Sequence, residues 1–172
     1  MSKNIFILGG ARSGKSRFAL KLGNAETGKK VYLATAEALD AEMAARIEQH
    51  RRERGEGWQT IEEPRRLSET LQSLEGRADV VLMDCLTLWL SNLMMETADP
   101  QKITKTFEQM MNTVCKLKMT LITVSNEVGQ GIVPIDAGVR LYRDLAGLLH
   151  QQWAEAAQEV YFMTAGLAQR IK

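Results

Sequence analysis

The stretch NIFILGGARSGKS, from Asn4 to Ser16, constrains the fold of this chain more than any other segment. The apolar run predicts a buried strand, and the next eight residues match the pattern G-x-x-x-x-G-K-[ST] ahead of a segment of helical period. In a strand, loop and helix arrangement, backbone N–H groups of the loop and of the helix N-terminus point at one anion. We therefore expect the loop to bind nucleoside triphosphate phosphates through Gly9, Gly10, Ala11, Arg12, Ser13, Gly14, Lys15 and Ser16.

Two side chains of this loop have distinct expected roles. Lys15 is expected to bridge the outer phosphates and to act in catalysis, and Ser16 to place a hydroxyl on Mg²⁺. The alternative is a glycine-rich turn that carries a lysine by chance.

The rest of the chain alternates short apolar runs with longer segments of helical period, which is typical of a parallel sheet covered by helices. Strands are predicted at 4–8, 30–35, 79–84, 120–125 and 159–164, with a weaker candidate at 58–63, and helices at 15–24, 39–54, 65–74, 86–96, 100–117 and 137–157. The predicted fold class is α/β, a P-loop NTPase-like and RecA-like domain with a mostly parallel central sheet flanked by helices. Since no repeat or linker interrupts the pattern, residues 1–172 are expected to form one domain.

Composition excludes several classes of partner. The 22 basic and 21 acidic residues leave a formal charge of +1, which favours neither nucleic acid nor an anionic membrane surface. No secretory signal and no run of about 18 apolar residues is present, so membrane insertion is not expected. The two cysteines, Cys85 and Cys115, do not form a disulfide framework, and a cytoplasmic location is expected.

The strand candidate DVVLMD ends in an acid, Asp84. A carboxylate at the end of a second strand is what the glycine loop requires as its partner on Mg²⁺, so Ser16 and Asp84 are the predicted metal ligands and Asp84 a catalytic residue. The alternative is that Asp84 only caps the helix that begins near Leu86.

The segment DAEMAARIEQHRRERGEGW places a histidine in a basic helix. Met43, Ile47 and His50 fall on one face, with Arg46 and Arg54 one turn to either side of the histidine. Nearby guanidinium groups disfavour the charged imidazolium and could also bind phosphate, so His50 is a candidate nucleophile toward phosphorus. The alternative is an ordinary surface or core histidine on a solvated basic helix.

A glycine-containing loop, SNEVGQGIVP, follows the strand predicted at 120–125. Open α/β sheets bind ligands at the carboxyl ends of their strands, so Asn126 and Glu127 are a candidate substrate loop. Glu127 could accept or orient a hydroxyl proton, and Gly129 and Gly131 permit closure over a site. The alternative is a turn with an exposed acid.

Five segments together resemble the bifunctional adenosylcobinamide kinase/adenosylcobinamide-phosphate guanylyltransferases of cobalamin biosynthesis. They occur in the same order along the chain, and they are GGARSGKS (9–16), ATAEALDAEMAARIEQHR (34–51), DCLTLWLSN (84–92), NEVGQGIVP (126–134) and RLYRDLAG (140–147). The resemblance implies that adenosylcobinamide is phosphorylated from ATP or GTP, and that GMP from GTP is then transferred to the phosphate through a guanylylated histidine. His50 inherits that role because it is the only histidine in the matching stretch.

The resemblance also implies a nucleotide site, Mg²⁺ and a homotrimer. By matching, the nucleotide contacts outside the glycine loop are Ala34, Thr35, Ala36, His50, Arg51, Arg52, Glu53, Glu62 and Asp84. The chain departs from the family pattern at His150, where an asparagine is expected, and at Glu48 and Gln49, where some relatives have a second histidine.

Other residues and two rival functions remain open. Arg140, Arg143 and Asp144 recur on one helical face, where they could pair with each other or contact phosphate or a neighbouring subunit. His150 is expected to be a packing or surface residue, and the tryptophans Trp89 and Trp153 to be core or interface residues. The rivals are a small-metabolite P-loop kinase without a covalent intermediate and a non-catalytic nucleotide-sensing module.

Overall fold

The fold is a seven-stranded sheet with helices on both faces, seen in a computed structural model that describes residues 2–38 and 41–172. The side chains of Arg46, Gln49, His50 and Glu53 also lie outside the described part. The strands are β1 Asn4–Gly9, β2 Lys30–Ala34, β3 Gln59–Glu62, β4 Val80–Asp84, β5 Thr120–Asn126, β6 Glu159–Thr164 and β7 Leu167–Arg170. The helices are α1 Lys15–Ala25, α2 Ala41–Arg54, α3 Leu67–Leu74, α4 Leu86–Glu96, α5 Pro100–Val114 and α6 Ala137–Ala156.

The strand order is β3-β2-β4-β5-β1-β6-β7, and every neighbouring pair is parallel except β6 and β7. The predicted α/β class with a mostly parallel sheet is confirmed. All six strand candidates are present, including the weaker one, and the antiparallel β7 was missed. Strand β5 lies between β1, which leads into the glycine loop, and β4, which ends in Asp84.

The sheet separates two apolar clusters, which is why its central strands read as continuous hydrophobic runs. On one face α3, α4, α5 and α6 pack through buried side chains that include Leu71, Trp89, Phe107 and Trp153. On the other face α1 packs through Ala19, next to Trp58. Trp89 and Trp153 were predicted to be core or interface residues, and both are fully buried in the core.

The helix boundaries follow local signals. Asp99 accepts a hydrogen bond from the Gln101 amide and is followed by Pro100, so α5 begins with a side-chain cap and a proline in its first turn. Asp136 caps α6 by accepting from the Val139 amide. Helix α5 ends at Val114, three residues before the predicted end.

In the described part of the chain, none of the helices is long and apolar enough to cross a membrane.

Candidate functional site

Sheet register brings the predicted site residues to one edge. Gly9 is paired with Asn126 across β1 and β5, and Ala34 is paired with both Glu62 and Asp84 across β2, β3 and β4. Because these strands are parallel, their carboxyl ends share one edge, where open α/β sheets bind ligands.

The glycine loop has a backbone that requires glycine at two positions. Gly9 has φ of 153°, and a Cβ there would lie 2.5 Å from the Met163 carbonyl oxygen of β6. Gly14, with φ of 93°, is the residue before α1, and a Cβ there would lie 3.3 Å from Gly166. Gly166 also donates its backbone N–H to the Ser13 carbonyl oxygen at 3.0 Å. The turn between β6 and β7 therefore supports the loop from outside.

Lys15 lies inside the curl of this loop. It is 7% exposed, and its Nζ donates a hydrogen bond to the Gly10 carbonyl oxygen at 2.6 Å. Burial lowers the pKa of Lys15, and the charge of Asp84 partly opposes that effect. A buried cation with one backbone partner is poised to exchange that carbonyl for phosphate oxygens.

Asp84 and Ser16 are in direct contact. Ser16 Oγ donates to Asp84 Oδ2 at 2.7 Å, and the Tyr32 hydroxyl donates to the same oxygen at 3.0 Å. Burial, and then the neighbouring Asp84 carboxylate, raise the pKa of Tyr32, which therefore stays protonated as a donor. The interpretation of Asp84 as a helix cap is wrong, because the residue that precedes α4 is Cys85 and the Asp84 carboxylate binds Ser16 and Tyr32.

The pair of Ser16 and Asp84 fits Mg²⁺ as its protein ligands. Magnesium prefers oxygen ligands in an octahedron with bonds of about 2.0–2.1 Å, which sets adjacent ligand oxygens about 3 Å apart. The two side-chain oxygens are 2.7 Å apart, so a small movement would suffice. Mg²⁺ usually keeps waters and phosphate oxygens as its other ligands, so two protein ligands are enough.

Helix α2 carries His50, whose side chain lies outside the described part of the chain together with those of Arg46 and Glu53. Arg54, at the end of α2, is buried, and its guanidinium lies 3.8 Å above the centre of the Tyr32 ring. Its Nη1 also donates to Thr60 Oγ1 at 3.1 Å. Arg54 thus joins α2 to β2 and β3 next to Asp84.

A cleft of 660 Å³ lies between α2 and the ends of β2 and β3. Ile47 and Arg51 of α2 line it, together with Ala36 and Glu62. Arg51 and Glu62 form an ion pair across it, while Arg52 pairs with Glu48 within the helix at 3.2 Å. Three predicted nucleotide contacts, Ala36, Arg51 and Glu62, therefore border one cavity next to α2, the helix that carries His50.

Thr35, which was predicted to contact the nucleotide, is wholly buried and has a structural role. Its hydroxyl accepts from the Cys85 amide at 2.7 Å and donates to the Cys85 carbonyl oxygen at 2.8 Å. Asn92 donates to the Thr35 carbonyl oxygen at 2.9 Å. These bonds fix the turn after β4, and thus Asp84, relative to the end of β2.

The candidate substrate loop begins next to the glycine loop. Asn126 Nδ2 donates to Thr87 Oγ1 at 3.1 Å, and the Glu127 amide donates to the Gly9 carbonyl oxygen at 3.0 Å. Glu127 Oε1 accepts the Gly129 amide at 2.5 Å. The loop therefore holds Glu127 close to the first residue of the glycine loop.

Two arginines of α6 hold the remainder of this loop. Arg143 donates to the carbonyl oxygens of Gly129, Gly131 and Ile132 at 2.6, 3.1 and 2.9 Å. Arg140 donates to the carbonyl oxygens at 134 and 135. Both arginines therefore bind backbone carbonyl oxygens, a role that the sequence analysis did not predict.

His150 is a packing residue, as predicted, and it also faces the substrate loop. It is 7% exposed, its Nε2 lies 2.7 Å from Ser125 Oγ, and its Nδ1 lies 3.8 Å from Glu127 Oε2. Sequence reasoning did not link His150 to Glu127, and it also missed Tyr32 as a partner of Asp84. Neither contact has a local signal, because each joins separate elements of the fold.

Comparisons with known proteins agree with one another. Residues 5–171 match the sequence model of the family described as cobinamide kinase / cobinamide phosphate guanyltransferase. The chain is 47% identical over 167 residues to the bifunctional adenosylcobalamin biosynthesis protein CobP of Pseudomonas aeruginosa, covering 96% of this chain and 95% of that protein. It is 40% identical over 182 residues to the protein of the same description, CobU, of Escherichia coli, covering 98% and 99%.

A comparison of folds gives a more distant relative. The chain resembles a solved structure of a prototypical ATPase from the type III secretion system of pathogenic bacteria, with a TM-score of 0.57 and 8% identity. The match covers 98% of this chain but 56% of that one. At this identity the likeness concerns the fold alone, and it agrees with the predicted P-loop class.

Proposed function

This chain belongs to the cobinamide kinase / cobinamide phosphate guanyltransferase family, and we propose which of its residues carry out the two reactions. It is a bifunctional enzyme of adenosylcobalamin biosynthesis, with kinase and guanyltransferase activities. The observation that carries the assignment of residues is the contact of Ser16 with Asp84 beside Lys15, at the mouth of the glycine loop.

In the proposed kinase step, ATP or GTP binds with its phosphates in the glycine loop, Gly9 to Ser16. Lys15 leaves the Gly10 carbonyl and binds the outer phosphates, and Ser16 and Asp84 hold Mg²⁺. Mg²⁺, when bound, offsets the negative charge on the phosphate oxygens. Phosphoryl transfer depends mainly on positioning and charge stabilisation, so these side chains need only orient the donor toward the hydroxyl of adenosylcobinamide.

In the proposed guanylyl step, a nitrogen of His50 attacks the α-phosphorus of GTP. The phosphorus–oxygen bond to the β-phosphate breaks, and pyrophosphate leaves. An oxygen of adenosylcobinamide phosphate then displaces the histidine, giving adenosyl-GDP-cobinamide and free imidazole. The cleft beside α2 supports this proposal, since Arg51 and Glu62 border it and Ala36, two residues after the end of β2, also lines it.

The decisive experiment measures the mass of the intact protein after incubation with GTP and Mg²⁺ without an acceptor. We expect a GMP adduct on the wild-type protein and none on His50→Ala, while His50→Ala retains kinase activity. The chain has two histidines, so His150→Gln is the matched control and should retain the adduct. If wild-type protein transfers GMP but never carries the adduct, the covalent step is contradicted. If the protein has kinase activity alone, the rival function, a small-metabolite kinase without a covalent intermediate, is supported instead.

We also propose a homotrimer and a cytoplasmic location. Three side chains of the loop before α6 support an association surface, since Ile132, Val133 and Ile135 are 95%, 69% and 99% exposed. Cys85 and Cys115 are free thiols, which suits a reducing compartment. Sedimentation equilibrium of the purified protein tests the trimer, and a monomer at micromolar concentration would contradict it.

A further inference from the structure

A second cleft, of 410 Å³, opens beside the glycine loop on the far side of β5 from α2. Gly10 and Ser13 of the loop form one wall, Glu127 and Gln130 a second, and residues 162–165 at the end of β6 a third. The cleft therefore adjoins the loop that holds the phosphates, but it is separate from the cleft that α2 borders.

One buried hydroxyl in this cleft lacks a partner. Ser13 is 8% exposed, and its Oγ has no hydrogen-bond partner among the residues that the structure describes. Buried polar groups in proteins are almost always hydrogen-bonded, so an unsatisfied one indicates a place for a ligand, an ion or a water. Ser13 borders the cleft, so a rotation of its side chain would bring this hydroxyl toward an oxygen bound there.

Glu127 supplies the only carboxylate of the described residues that line this cleft. Its backbone is tied to Gly9, and its Oε1 accepts the Gly129 amide. The side chain is 21% exposed, so it reaches solvent at the cleft while one oxygen is fixed. The other oxygen, Oε2, lies 3.8 Å from His150 Nδ1.

His150 is held from behind by a buried network. Its Nε2 contacts Ser125 Oγ at 2.7 Å, and its ring packs against Phe6 with ring centres 5.8 Å apart. Burial lowers the pKa of His150, although the charge of Glu127 opposes this effect, so the ring is neutral at pH 7. From these contacts we assign the tautomer of His150 that carries its proton on Nδ1. In this tautomer the Nδ1–H faces Glu127, and Nε2 accepts a hydrogen bond from the Ser125 hydroxyl.

We propose that this cleft is the acceptor subsite of the kinase step, where it receives the hydroxyl-bearing arm of the substrate, and that Glu127, positioned by His150, takes the hydroxyl proton. This inference rests on the proposed function. The alcohol O–H bond breaks and its proton passes to Oε2 of Glu127. The alcohol oxygen bonds to the γ-phosphorus, the bond to the β,γ-bridging oxygen breaks, and the nucleoside diphosphate leaves. Glu127 later returns its proton to water.

The first test separates the two activities in one variant. In Glu127→Gln the amide oxygen still accepts the Gly129 amide, so the loop is retained while the base is lost. We expect kcat for adenosylcobinamide phosphorylation to fall about 100-fold or more, with the KM for ATP unchanged within twofold. Transfer of GMP to added adenosylcobinamide phosphate should stay within twofold of wild type, because that acceptor has no proton to lose at this position.

The second test uses a matched pair at His150. Asparagine places its amide nitrogen near the position of Nδ1, whereas glutamine places its amide near Nε2. His150→Asn should therefore keep an N–H that faces Glu127 and most of the kinase kcat. His150→Gln should keep the Ser125 contact but lose about tenfold in kcat. If His150 had only a structural role, the two variants would lose similar amounts of kinase activity, and each loss would correlate with the decrease in the free energy of unfolding of that variant.

The outcomes distinguish this inference from the proposed function. Kinase kcat in Glu127→Gln within threefold of wild type overturns the role of Glu127 and the subsite. Equal kinase losses in His150→Asn and His150→Gln overturn the positioning role. Wild-type protein that performs neither reaction overturns the proposed function itself.

Discussion

Replacing Arg143 by alanine should release the loop that carries Glu127 without unfolding the domain. Three carbonyl oxygens between 129 and 132 accept hydrogen bonds from this one guanidinium, at 2.6 to 3.1 Å. Within one protomer the loop gains little from burial, because Ile132 and Val133 are largely exposed. Its order therefore depends mainly on polar contacts with α6.

The size of the effect follows from those bonds. A net value of about 1 kcal/mol for each is reasonable, since a charged donor strengthens a hydrogen bond but water competes at an exposed loop. Three bonds give about 3 kcal/mol, from which about 1 kcal/mol is subtracted for the side-chain entropy that the bound arginine gives up. The net of about 2 kcal/mol corresponds to roughly a 30-fold larger open fraction of the loop.

Native-state hydrogen exchange at Gly129 measures this opening, because its amide is protected by the Glu127 carboxylate. We expect exchange in Arg143→Ala to be about 30-fold faster than in wild type, with the free energy of global unfolding lowered by no more than the about 2 kcal/mol that the loop loses. Arg140→Ala is the matched control, since Arg140 binds carbonyl oxygens further along, at Pro134 and Ile135, and should leave Gly129 unaffected. A Gly129 exchange rate within threefold of wild type in Arg143→Ala would refute this account of the loop.

Two further predictions concern the site and its surroundings. Tyr32→Phe keeps the ring under Arg54 but removes one hydrogen-bond donor to the partly exposed Asp84. The free energy of unfolding in urea should therefore fall by about 1.5 kcal/mol, and the Mg²⁺ concentration for half-maximal kinase activity should rise. Unchanged values in both assays would contradict the role of this hydroxyl. Because burial lowers the pKa of His150 in the folded state, the unfolded state binds more protons below about pH 6.5. The free energy of unfolding should therefore fall as the pH decreases from 6.5 toward the pKa of His150 in the folded protein. In His150→Gln this part of the pH dependence should be absent. Identical pH profiles of the variant and the wild type would contradict the prediction.

Much of the fold could be predicted because its signals are local. Runs such as VVLM in β4 are buried at every position, and Asp99 with Pro100 marks the start of α5 within two residues. Strand β7 gives no such signal, since all four residues from Leu167 to Arg170 are exposed. It forms because the turn before it, with Ala165 at φ 50° and Gly166 at φ 83°, folds it back on β6.

The end of α5 was predicted too late for a related reason. The helix stops at Val114, and Lys116 donates to the Thr113 carbonyl oxygen in a tighter turn. No glycine or proline follows to mark this stop in the sequence. What ends the helix is the start of β5 at Thr120, a tertiary requirement.

The candidate site likewise contains residues that local sequence patterns predicted and contacts that they did not. The glycine loop and Asp84 could be found because each stands at a fixed offset from its own strand. The contact of Tyr32 with Asp84 depends on the pairing of β2 with β4, and the approach of His150 to Glu127 depends on how α6 packs on β5. Residues 32 and 84 are 52 positions apart, and residues 127 and 150 are 23 positions apart, so no local sequence pattern encodes these contacts.

The support that the turn at Ala165 and Gly166 gives to Ser13 has a consequence for biosynthesis of the protein. On a translating ribosome, residues 9–16 are made well before the hairpin of β6 and β7 that braces them. A nascent chain can therefore complete its nucleotide pocket only after this hairpin has been made, so a stalled or nicked product without the hairpin should bind GTP more weakly.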